Sequence, residues 1–62
     1  MTRDEELWGM ALMLLRQHGD RAAVQVAERI GELAVTGEMD GVELWREIAH
    51  RLIALISKRH KV

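Results

Sequence analysis

The 62-residue chain has no cysteine, no proline, no phenylalanine and no tyrosine. Without cysteine there is no disulfide to staple a small fold, and no thiolate to hold a metal or attack a substrate. Without proline, and with Ala, Leu, Glu and Arg common, nothing interrupts helix strongly. Two tryptophans are the only aromatics, so the core must be built from Leu, Ile, Val, Ala and Met. Charge of one sign is also lacking: 9 Lys and Arg balance 10 Asp and Glu, for a net charge of −1. No overall field therefore draws the chain to nucleic acid or to a membrane surface. No apolar run approaches the roughly 20 residues that span a bilayer. The start, Met1-Thr2-Arg3-Asp4-Glu5-Glu6, is acidic and lacks the basic beginning of a secretory signal. A cytoplasmic location is expected.

What is present is apolar surface, at 48% of residues. The length allows one domain, residues 1–62, and no more. A domain this small buries only about 60% of the surface its unfolded chain exposes, so a lone core is marginal. So much apolar content in so short a chain implies that some of it is covered by another chain.

The middle stretch, Gly19 to Trp45, organises the rest. Asp20 follows Gly19 and reads as the N-cap of a helix whose Ala23, Val26, Ala27, Ile30 and Ala34 share one side. Val24 and Val35 widen that stripe towards Gly31, where a close helix crossing is expected. Gly37 ends the helix in the left-handed conformation. Asp40 then caps the next helix, with Glu43 completing an acidic capping box and Met39 and Leu44 a hydrophobic staple.

Upstream, Thr2-Arg3-Asp4-Glu5 is a capping box that opens a first helix ending at Gly19. Its main stripe is Leu7, Trp8, Ala11, Leu14 and Leu15, but Met10, Leu12 and Met13 fall outside it. At about 100° per residue the apolar arc exceeds half the circumference. A second face around Gly9, Met10 and Met13 is expected to meet another subunit. The plainer alternative is a helix sandwiched between the other two, with its methionines partly exposed. In the last helix Val42, Trp45, Ile48, Ala49, Leu52, Ile53, Leu55 and Ile56 cover one half. Glu43 with Arg46, and Glu47 with Arg51, are expected as surface pairs. Glu6-Leu7-Trp8 recurs as Glu43-Leu44-Trp45, an echo too short to be a repeat.

The expectation is an all-α, compact three-helix domain, with helices near 2–18, 20–36 and 40–59. Its predicted core is Leu7, Trp8, Ala11, Leu14, Leu15, Val26, Ala27, Ile30, Leu33, Ala34, Trp45, Ile48, Ala49, Leu52 and Ile56. A homodimer is expected, with Gly9, Met10, Leu12, Met13 and Ile53 as its interface.

Residues that carry chemistry are sparse. Glu47-Ile48-Ala49-His50 has the E-x-x-H spacing of di-metal bundles, but such sites need two copies and further inward carboxylates. A solvated charged face is the simpler reading. His18, His50 and His60 are not at i,i+4 spacing, which argues against a zinc site. His18 is read as a cation at a helix C-terminus. Ser57, the one serine, has no base arranged for it, and no glycine-rich phosphate loop exists. So small a chain is also expected to lack a pocket of about 300 Å³ or more. Neither cofactor nor metal is expected, nor enzymatic activity. As a helix-turn-helix the chain lacks a reading helix, since the second and third helices open with Arg21-Ala22-Ala23-Val24 and Gly41-Val42-Glu43-Leu44. Lys58, Arg59 and Lys61 in the basic tail could touch phosphates without reading bases. Two functions stay open: a non-catalytic protein–protein interaction module or small regulator, and a nucleic-acid accessory protein using that tail. Met10, Met13 and Met39 fit core filling better than a binding groove.

Several blocks together carry a resemblance: Thr2 through Gly9, Gln17-His18-Gly19-Asp20, Ala27-Glu28-Arg29-Ile30, Gly41-Val42 and Trp45 through Ala49. They resemble a family of small bacterial proteins of unknown function, mostly alphaproteobacterial. The blocks lie at caps and on helix faces, so the resemblance implies a helical scaffold of the bacterial cytoplasm and no particular chemistry.

Overall fold

In the computed structural model, which describes residues 2–59, the chain is all-α. Helix α1 spans Arg3–His18, α2 spans Ala22–Thr36 and α3 spans Met39–Arg59, with a short 3-10 turn at Gly19–Arg21 between the first two. Among the described residues there is no strand.

Each boundary has a local cause. Thr2 is extended and its hydroxyl accepts from the Glu5 N–H at 3.2 Å, the forward half of the expected capping box. Asp4, Glu5 and Glu6 then place negative charge in the first turn, where the helix dipole favours it. Gly19 closes α1 at φ 55°, donating to the Leu15 carbonyl. Gly37 closes α2 in the left-handed region, at φ 78° and ψ 14°. Its N–H donates to the Ala34 carbonyl at 3.2 Å, and the Glu38 N–H donates to Leu33 at 2.9 Å. These bonds form a Schellman motif that satisfies two end carbonyls.

Two expected caps are corrected. Asp20 does not cap α2, because the 3-10 turn occupies Gly19–Arg21 and the helix start has no side-chain cap bond. That turn delivers Ala22, which has no exposed surface, directly into the core. Asp40 does not cap α3 either. The helix begins at Met39, and the Glu38 carbonyl already accepts from the Val42 N–H at 3.1 Å. Asp40 therefore sits in the first turn, and Met39 is an exposed helical residue rather than half of a staple.

Helix α3 is the hub. It packs against both α1 and α2, which touch each other much less. The core between them comprises Leu7, Ala11 and Leu15 of α1, Ala22 and Val26 of α2, and Ile48 and Leu52 of α3. Leu33 and Val42 are buried near the α2–α3 turn. Burying a Val, Leu or Ile side chain contributes about 1.5–3 kcal/mol. Leu14, Ile30, Trp45, Ala49 and Ile56 are half-buried against this core. Trp8, Ala27 and Ala34, expected inside, are exposed. For the two alanines the cause is the hub geometry: with α1 and α2 on different flanks of α3, no third helix covers the outer half of the α2 stripe. Ala22 and Val42 are core residues that the predicted set lacked.

The close crossing is also elsewhere than expected. Nothing lies within 4 Å of where a Cβ on Gly31 would sit. At Gly41 a Cβ would lie 3.2 Å from a methyl of Leu33. Hence α3 comes close to α2 at its own first turn.

Candidate interaction surface

Ionic contacts join α1 to α3. The Arg51 guanidinium donates to the Asp4 carboxylate at 2.6 Å and to the Glu47 backbone carbonyl at 3.0 Å. Its carbon lies 5.8 Å from the centre of the Trp8 ring, at the outer edge of cation–π range. Its Nε is buried with no partner. Arg3 donates to Glu47 at 2.8 Å. Among the described residues the expected side-chain pairs Glu43–Arg46 and Glu47–Arg51 do not form; Glu47 and Arg51 turn to α1 instead of to each other. This is a clamp between helices and offers no reactive group. Among the described residues no cluster of three or more His, Cys, Asp and Glu side chains converges as a metal site would require.

The surface is dominated instead by apolar side chains. Trp8 is 37% exposed, Met10 37%, Leu12 39%, Met13 57%, Val24 49%, Val35 89%, Met39 58% and Ile53 56%, whereas nine hydrophobic residues are buried among the described residues. Single exposed apolar residues are ordinary, but aligned ones are not. Apart from Trp8 beside Arg51 and Met39 at the α2–α3 turn, these fall on two faces. Gly9 and Met13 lie on the side of α1 opposite Leu7, Ala11 and Leu15, with Leu12 and Met10 at its two margins. Ile53 does not join them. It lines a groove of about 160 Å³ between α2 and α3, with Ala23, Val26, Ala27, Ile30, Ala49 and Leu52. The ionic clamp places α1 on the flank of α3 that carries Glu47 and Arg51. The groove is on the other flank, so the five expected interface residues divide between two surfaces.

The groove was missed as a site, although its signal was in the sequence. Val24, Gly31 and Val35 continue the α2 stripe beyond what one partner helix can cover. A second hollow lies under the α2–α3 turn, about 470 Å³, lined by Leu33, Gly37, Glu38, Met39, Asp40 and Gly41. This volume corrects the expectation that no pocket above 300 Å³ would exist. Its lining offers two carboxylates but no Ser, Lys or His to act as nucleophile or cationic partner.

Of the basic tail, Lys58 is exposed near the end of α3. His60 and Lys61 lie outside the described residues, as does the side chain of Arg59. No helix among the described residues is long and apolar enough to cross a membrane.

A model for a family of unknown function (DUF6961) matches residues 3–60. No curated protein and no solved structure matches the chain.

Proposed function

Because the chain belongs to that family of unknown function, whose description carries no chemistry, we propose that it is a non-catalytic protein–protein interaction module or small regulator of the bacterial cytoplasm. It acts through apolar helical surface and works as a homodimer of three-helix subunits. The observation that carries this reading is the exposure of large apolar side chains from Trp8 to Ile53 beside a core that, among the described residues, comprises nine buried side chains. A hydrophobic side chain held in water forgoes about 25 cal/mol for each Å² that a partner would cover. The α1 face with Gly9, Met10, Leu12 and Met13, and the groove face with Ile53, are the two surfaces available to partners.

Sedimentation equilibrium across low to high micromolar concentration tests it. The expected result is a mass that rises towards twice that of the chain. A single chain at every concentration would remove the self-association from this reading.

A further inference from the structure

We infer that the face around the α2–α3 groove takes a second copy of this chain, with α2 of each copy lying over α3 of the other. The inference rests on the interaction-module reading above and names its surface. Its first support is continuity. Ile53, 56% exposed, and Ala27 form the groove's rims, and Val24, Gly31 and Val35 extend the apolar side of α2 outward. At Gly31 nothing lies within 4 Å of a Cβ position, so a partner helix can approach the backbone there.

The second support is charge. At about 100° per residue, Glu28 and Glu32 follow Val24 and Val35 around α2, giving that edge of the face an acidic border. Around α3, Arg46 follows Ile53 and places a cation at the opposite edge. Glu28, Glu32 and Arg46 are exposed. Glu32 is already paired with Arg29 at 3.5 Å, which leaves Glu28 as the acidic group facing outward. The two helices run antiparallel, because Leu33 meets Gly41 at one end while Ala23 and Ile53 share the groove towards the other. A twofold axis can bring two such faces together in two ways. Across the helices, it stacks α2 on α2 and sets acidic border against acidic border. Along the helices, it stacks α2 on α3 and sets Glu28 opposite Arg46 at a matching height. Only the second is electrostatically self-complementary. A standard interface covers about 800 Å² per partner, a modest share of the 4738 Å² that the chain exposes.

The test is sedimentation equilibrium of the full chain and four variants, with circular dichroism confirming that each retains its helix content. Ile53→Glu and Val24→Glu each place a charge on the apolar face and are expected to raise the dimer Kd at least about tenfold. Met13→Glu, on the outer face of α1, is expected to leave it within about twofold. Glu28→Arg is expected to raise Kd about tenfold by turning two attractions into repulsions, and adding Arg46→Glu to it should restore the dimer. Loss of the dimer in Met13→Glu, with the groove variants unaffected, would overturn this surface while leaving the interaction-module reading intact. A wild-type chain that stays monomeric would overturn both. A dimer broken by Ile53→Glu but not restored by the double charge swap would overturn the α2-over-α3 arrangement.

Discussion

Replacing Arg51 by alanine is expected to lower the thermal unfolding midpoint by about 2–8 °C. The guanidinium holds Asp4 at 2.6 Å, and although the Arg51 side chain is only 20% exposed its partner is 64% exposed. Solvent screening therefore limits that pair to about 0.5–1 kcal/mol. The bond to the Glu47 carbonyl adds about 0.5 kcal/mol. Trp8, with the guanidinium carbon 5.8 Å from its centroid, adds a similar amount, about 0.5 kcal/mol. Against these stands the Nε proton, buried with no acceptor, which costs about 1 kcal/mol. The net is about 0.5–1 kcal/mol, which in a domain of this size moves the midpoint by the stated interval. Arg51→Lys should fall between, since a point charge can reach Asp4 but cannot also bond the carbonyl as a fork does. Arg29→Ala is the control. Its pair with Glu32 is 3.5 Å long with both side chains more than half exposed, and its loss should cost under about 0.5 kcal/mol. Thermal denaturation followed at 222 nm reads all three. If Arg51→Ala unfolded no earlier than Arg29→Ala, the clamp between α1 and α3 would contribute nothing and the reasoning would fail.

Ile48→Ala, at a site with no exposed surface in the hub helix, should cost about 2–4 kcal/mol. A chain of this length holds only about 3–9 kcal/mol in all, so urea denaturation should reveal a protein close to unfolding. Gly37→Ala should destabilise by about 1 kcal/mol, because φ is 78° there. Gly9→Ala should stabilise by about 0.5–1 kcal/mol, since the helical position is open; the same urea titration checks both. Deleting residues 58–62 should leave electrophoretic mobility of DNA or RNA probes unchanged, with no low-salt shift in the intact chain either. A salt-sensitive shift lost on that deletion would instead support phosphate binding through Lys58, Arg59 and Lys61.

The helices were legible because their signals are local. Thr2 with Glu5, and Gly37 after Thr36, act within one turn, and both form. The starts of α2 and α3 were less legible because a competing local structure won: a 3-10 turn displaced Asp20, and an early first turn absorbed Asp40. Periodicity identified which residues were apolar but not which partner helix would cover them. Ala27 and Ala34 share a stripe with Val26, yet only Val26 points between α2 and α3 into the core. Nor can spacing within one helix reveal that Arg51 reaches a carboxylate 47 residues away. Ile53 is expected on one interface with Met13; it is 56% exposed, and its separation from Met13 is a property of how α1 and α2 divide the flanks of α3.

The central claim is that this chain has more apolar helical surface than one copy can bury. Urea unfolding at about 1 and about 100 micromolar protein tests it most directly. If two copies cover that surface, the hundredfold rise in concentration adds about 2.7 kcal/mol per dimer, and the midpoint moves to higher urea. Superimposable curves at the two concentrations would contradict the claim.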